Sequence, residues 1–341
     1  MKRQIKTTMA ALLAFLLLGL CGAARADSCT ATLNNLSFGN VSPITGSDVT
    51  TTATGNVSCT WSLLSPTPPF LLLFPNAIVC INIGNGSNSS STSPRTLGNS
   101  TNRMQYNLYR DTTYATAAIW GSPSTPATPT PLTVTMTAPN ILLGGTISQN
   151  FTVNAKIPAG AALASVPTAG NANTSYTSSF AGAATISYAF YNLVPPSCTT
   201  GSSSSFSFQV SATAINDCTI SATPVSFGTS GVLTGAARAQ GTITVKCVNN
   251  DAYQIALNGG TTAGSVAGRK MKPVSGAERI SYELSQSLDG PIWGDGSNGT
   301  ALYSNTGTGS SLGIQVFGRV PVQTTPAPGD YSDTVTATVI F

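Results

Sequence analysis

No histidine occurs among the 341 residues, which removes the Ser-His and Cys-His nucleophilic arrangements and a common zinc ligand. No two cysteines stand in a C-x-x-C pair, so a zinc ribbon is excluded as well. Charge is scarce: 15 Lys and Arg stand against 11 Asp and Glu, and four of the bases (Lys2, Arg3, Lys6, Arg25) lie in an N-terminal leader, leaving eleven of each sign. A neutral chain without a basic stripe does not fit nucleic acid. Arg269, Lys270 and Lys272 are the densest basic group and read as a solvated strand end or loop. The nearest acidic pairs, Glu278 with Glu283 and Asp330 with Asp333, fall at turns or strand starts and read as surface groups rather than a glycosidase pair. GDGSNG (294–299) lacks the following helix of a phosphate loop and the acid set of a calcium loop, so it reads as a hairpin turn. No catalytic residue, cofactor or metal is expected.

Beyond the leader there is also no unbroken apolar run near the ~20 residues of a membrane helix. The nearest approach is LLSPTPPFLLLFPNAIVC (63–80), which Pro66, Pro68, Pro69 and Pro75 interrupt, leaving a buried strand or an exposed apolar loop. The leader itself is a secretory signal: a basic start, the apolar ALLAFLLLGL, and the small-x-small site Ala24-Arg25-Ala26, so the mature chain should begin at Asp27. Of seven cysteines, Cys21 falls in that leader, and Cys29, Cys59, Cys80, Cys198, Cys218 and Cys247 remain. An even number behind a secretory signal implies disulfides.

What fills the chain is Thr, Ser, Gly, Asn and short stretches of period-two alternation, as in ITVKC, YQIALN and LGIQVFGRV. The chain is expected to be all-β, with no helix outside the leader. It is also a repeat. CTATLNNLSFG from Cys29 is followed by TGNVSC, INIGNG, RMQYNLYRD, IWG, FTVNAKIP and TISYAFY. CTISATPVSFG from Cys218 is followed in the same order by GTITVKC, IALNGG, RISYELSQS, IWG, IQVFGRVP and TVTATVIF. Two homologous domains follow, 27–192 and 216–341, with a linker at 193–215. Equivalent positions pair Cys29 with Cys59 and Cys218 with Cys247, leaving Cys80 and Cys198 for each other. Trp120 and Trp293 in the two IWG motifs are expected to pack in cores or turns.

These residues resemble the spore coat U family, whose members include subunits of archaic chaperone-usher pili. The likeness is strongest from Cys218 through SFG, Cys247, Tyr282 and Ile292-Trp293-Gly294 to the closing PGDYSDTVTATVIF. It implies two tandem immunoglobulin-like β-sandwich pilin domains, the second lacking its final strand. Such a domain takes a strand first from a periplasmic chaperone and then, past the outer-membrane usher, from an adjacent subunit. Cys29 would follow the cleavage site by two residues, leaving no N-terminal strand to donate, which would put the chain at a fibre end. FSFQVSATA, with Phe206, Phe208, Val210 and Ala212 on one face, either completes the first domain in cis or is a first strand or linker.

The first domain departs from the second in three apolar segments: 63–76, APNILLGG (138–145) and AGAALASVP (159–167). Insertions belong in loops, because inside a strand they break register. Leu63, Leu64, Phe70, Leu71, Leu72, Leu73, Phe74, Ile141, Leu142, Leu143, Leu163 and Val166 are therefore expected to form a contact surface for a hydrophobic or abiotic partner. The expected protein is a secreted, non-enzymatic tip adhesin of an archaic pilus, displayed on the cell surface and supporting biofilm formation. A spore-coat or matrix protein and a carbohydrate-binding pilus adhesin are the alternatives.

Overall fold

The computed structural model describes residues 27–62, 75–139 and 144–341. Alternating burial marks each strand as half of a sandwich; in Ser28–Leu33, for example, every second side chain faces inward. The N-terminal portion contributes β1 (Ser28–Leu33), β2 (Leu36–Val41), β3 (Val49–Trp61), β4 (Asn76–Ile83), β5 (Arg95–Asn99) and β6 (Asn102–Tyr109). It continues with β7 (Leu132–Thr137), β8 (Gly145–Ile157), a single helical turn α1 (Ala161–Ala164), β9 (Thr174–Ser179), β10 (Ala184–Tyr191), β11 (Ser202–Phe206) and β12 (Gln209–Ala214). One sheet runs β1-β3-β8-β6-β5-β9-β12-β2, and the facing sheet runs β11-β10-β4-β7. Their side chains form one core reaching from Cys29 to Ala214.

The second sandwich is smaller. It comprises β13 (Cys218–Ala222), β14 (Ala237–Cys247), β15 (Ala252–Leu257), β16 (Lys270–Pro273) and β17 (Ile280–Ser281). β18 (Glu283–Ser285), β19 (Tyr303–Thr306), β20 (Ser311–Val320), β21 (Tyr331–Ser332) and β22 (Ala337–Ile340) follow. Its sheets run β13-β14-β20-β18, β19-β15-β22 and β17-β16-β21 around a separate core. The chain is thus all-β in two tandem sandwiches, with helix confined to single turns among the described residues.

Disulfides join Cys29 to Cys59, Cys80 to Cys198 and Cys218 to Cys247. The first and third each link a first strand to its neighbour at directly opposed positions. Both tryptophans of the IWG motifs are fully buried, and their ring N–H groups donate to equivalent carbonyls, Trp120 to Ile81 and Trp293 to Ile255. The repeat includes a buried cation as well. Arg95 donates through Nε to the Gly84 carbonyl and through Nη2 to that of Trp120; Arg269 donates through Nε to Asn258 and through Nη2 to Leu257 and Trp293.

This corrects the sequence expectation for Arg269, which is 1% exposed rather than solvated. The reason is that strand ends leave carbonyls unpaired inside the sandwich, and a guanidinium fork can satisfy several of them together. Burial pushes the Arg95 guanidinium down to about 10, still protonated at neutral pH.

Candidate functional site

In the first sandwich, β12 occupies a slot between two strands from distant parts of the chain. It pairs antiparallel with β9, Gln209 opposite Ser179 through Ala214 opposite Thr174, and parallel with β2, Val210 opposite Leu36 and Ala214 opposite Val41. Phe206, Phe208, Val210 and Ala212 are all buried in the core. They do not lie on one strand: Phe206 ends β11 in one sheet, while Val210 and Ala212 belong to the other. Phe208 makes the crossing, stacked on Phe180 at 4.4 Å between centroids and parallel to the Trp120 ring at 6.2 Å. The Cys80–Cys198 bond ties the segment that leads into β11 to the middle of β4.

The corresponding slot of the second sandwich is open. Among the described residues, no strand lies between the segment equivalent to β2 (223–230) and the one equivalent to β9 (325–335), and the two line a groove of about 1200 Å³. Ile243, Leu257, Leu284, Val316 and Val320 of the core form its floor. In the first sandwich the sheet order runs on from β9 through β12 to β2, whereas in the second the corresponding order, β13-β14-β20-β18 continued by β17-β16-β21, ends at β21.

One side of this groove is polar. Asp333 accepts from the backbone N–H and hydroxyl groups of Thr261 and Thr262, and from the Tyr282 hydroxyl at 2.7 Å. Burial alone would raise the Asp333 carboxyl, but these bonds together hold it below its ordinary value. Asp333 is therefore a structural acceptor rather than the free surface group expected from the sequence.

Two of the three apolar segments are anchored at one pole of the first sandwich. Trp61 pairs with Gly145, the Ala138 N–H donates to the Pro75 carbonyl at 2.8 Å, and Gly144 lies against the carbonyls of Trp61 and Ser62. The positive φ of Gly144 and that close approach leave no room for a Cβ. Leu63, Leu64, Phe70, Leu71, Leu72, Leu73, Phe74, Ile141, Leu142 and Leu143 lie outside the described residues.

The third segment is elsewhere, at the other end of β8. Leu163 and Val166 are 2% and 1% exposed and belong to the core, so they are not contact-surface residues. α1 turns the apolar sequence back under the sandwich instead of projecting it. The polar flank of this segment meets the second sandwich. Asn249 donates to the Ser165 carbonyl at 2.9 Å, and the Thr168 hydroxyl donates to Asp251. Asn171 exchanges two bonds with the Ala252 backbone, at 2.8 and 2.9 Å. Lys246 donates to the Ile44 carbonyl at 3.0 Å and Ser42 to Asp217 at 2.6 Å, completing a junction made mostly of polar contacts. From there β3 and β8 run side by side for 13 residues to the far pole, roughly 40 Å away at the usual rise per strand residue.

Sequence reasoning missed Asp251. It is completely buried, its Oδ2 has no partner among the described residues, and burial raises its carboxyl above the ordinary value despite the Thr168 bond. In VNNDAY it looks like an ordinary turn aspartate, so the sequence carries no signal of it.

A model of the Spore Coat Protein U domain matches residues 17–171 and 204–338. Its second match begins before β12, although β12 folds into the first sandwich. No curated protein sequence matches the chain. Among solved structures, the chain resembles one from the CsuC-CsuE chaperone-tip adhesion subunit pre-assembly complex of archaic chaperone-usher Csu pili of Acinetobacter baumannii. The TM-score is 0.50 at 16% identity, covering 93% of this chain and 100% of that one. The CupB6 tip adhesin of Pseudomonas aeruginosa matches at TM-score 0.36 and 9% identity, over 92% of each chain. The enterotoxigenic E. coli adhesin CfaE matches at 0.30 and 12%, over 92% of this chain and 93% of that one.

Proposed function

This chain belongs to the Spore Coat Protein U domain family, and from that premise we propose that it is the tip adhesin of an archaic chaperone-usher pilus. The observation that carries the reading is the contrast between the two slots: β12 fills the first, and the second is an open groove. Strand addition supplies backbone hydrogen bonds for affinity and side-chain pockets for register, and an unfilled groove is an aggregation hazard until a strand enters it. A periplasmic chaperone is the first occupant in this reading, and an adjacent pilus subunit replaces it at the outer-membrane usher. The segment that precedes the second core, where a donor strand would stand, is committed inside the first sandwich. That arrangement suits a subunit that accepts and does not donate, hence a fibre end.

The second sandwich then anchors the chain, and the pole carrying the anchors of 63–74 and 140–143 faces outward. In this reading those segments bind a hydrophobic or abiotic surface through Phe70, Leu72, Phe74 and Leu142, and attachment there supports biofilm formation. Each such side chain is worth roughly 1.5–3 kcal/mol on burial, so a few suffice after ordering costs. Leu163 and Val166 take no part, being core residues. Replacing Phe70, Leu72, Phe74 and Leu142 together by serine should reduce attachment of cells to polystyrene at least about tenfold while fibres still assemble. Undiminished attachment by normally piliated cells would refute the surface assignment.

A further inference from the structure

The junction between the two sandwiches is repeated, unoccupied, at the opposite end of the second one. β12 runs parallel to β2 and leaves the first slot at Ala214, where the Ile215 N–H donates to the Val41 carbonyl. Asn216 and Asp217 then lead straight into β13. A strand in the first slot therefore delivers the sandwich it belongs to onto the turn that follows β2. That turn, Pro43-Ile44-Thr45-Gly46, comes four residues after Ser37-Phe38-Gly39. In the second sandwich Val232-Leu233-Thr234-Gly235 comes at the same distance after Ser226-Phe227-Gly228.

The strands beside the two turns correspond as well. Val49 opposite Ile157 closes the first sandwich at this pole, and Ala237 opposite Val320 closes the second. The Leu233 N–H donates to Thr325 Oγ1 at 3.0 Å, and Gln323 N–H donates to the Leu233 carbonyl at 3.3 Å, so the 322–325 segment lies against the 232–235 turn. The two turns differ in their covering. Pro43 is buried, whereas Val232 in its place is 64% exposed and Val322 beside the turn 63%; Leu233, in the place of Ile44, is buried in the second core.

We propose that the pole formed by the 232–235 turn and Val322 seats the body of the subunit whose strand fills the second groove. The occupant is a β-sandwich of the same family, placed there because a strand parallel to 223–230 must exit at this turn. The inference rests on the strand-accepting reading of the groove and adds to it a rigid abutment between bodies, patterned on the chain's own junction. A fibre joint made this way resists bending, which a lone linker between a strand and its sandwich does not.

The test uses the full chain in two measurements. A synthetic FSFQVSATA peptide serves as the strand probe for the groove, and fibres isolated from producing cells report how much of the chain survives mechanical shear. In the Val232→Asp/Val322→Asp double variant, peptide affinity should stay within about twofold of the parent while retention after shear falls about tenfold. Retention equal to the parent overturns the seat. A parallel loss of peptide affinity also overturns it, since the groove rather than the pole would then explain the effect. If the unaltered chain neither binds peptide nor associates with fibres, the strand-accepting reading itself fails, and the seat with it.

Discussion

A single carboxyl shows how tightly the two sandwiches are coupled. Asp251 sits fully buried at their junction with one oxygen bonded to Thr168 and the other without a partner among the described residues. Burial raises its pKa in the folded state, so the folded chain holds this proton more strongly than the unfolded one. The stabilising contribution is therefore fully present below the ordinary carboxylate value of about 4 and is lost as pH rises through the raised one. Asp251→Asn keeps an acceptor for Thr168 and removes the buried charge. It should raise the stability of the chain at pH 7 by about 1 kcal/mol, an advantage that shrinks on titration toward pH 4. Thermal unfolding of both proteins across that range checks the expectation; a variant no more stable than the parent at pH 7 contradicts it. Nothing in VNNDAY separates this aspartate from a turn residue, because its burial depends on Thr168, 83 positions away. Arg269 was hidden for the same reason, its three carbonyl partners being supplied by Leu257, Asn258 and Trp293, 11 to 24 positions away.

At the scale of elements, β12 is the piece on which the first sandwich depends. It contributes Val210, Ala212 and Ala214 to the core and joins β9 to β2, which no other strand bridges among the described residues. Phe208→Ala removes a ring stacked between Phe180 and the Trp120 side and should cost roughly 3–5 kcal/mol. Gln209→Ala, one residue on and exposed, should stay within about 0.5 kcal/mol. Equal effects in denaturant unfolding would mean that the slot is not packed as described. Period-two alternation made the β12 strand visible in the sequence, and motif order made the repeat visible. Two disulfides, Cys29–Cys59 and Cys218–Cys247, followed from equivalent positions, and Cys80–Cys198 by elimination. The crossing at Phe208 was not visible, since a run of alternate apolar residues reads the same whether it stays in one sheet or changes sheets. Nor was the fate of 159–167. Apolar composition in a connection fits a projecting loop and a turn folded into the core equally well, and α1 takes the second course with Leu163.

At the scale of the whole molecule, the two sandwiches form a polarised pair. One pole of the first carries the anchors of two apolar segments, its other pole receives the second sandwich, and the second sandwich carries the open groove. Glycine makes the docking close: Gly309, at positive φ, lies against the Ala164 carbonyl, where any Cβ would collide. One slot is filled from within and the other is an open groove, which in the proposed function accepts a strand from a partner. Hydrogen exchange of the full chain with and without a synthetic FSFQVSATA peptide tests it directly. Segments 36–41 and 174–179 should be protected in both states, and peptide should raise protection only at 223–230 and 325–335. Rapid exchange at 36–41 without peptide would mean that the first slot is not filled from within, and no added protection at 223–230 with peptide would mean that the second does not accept a strand.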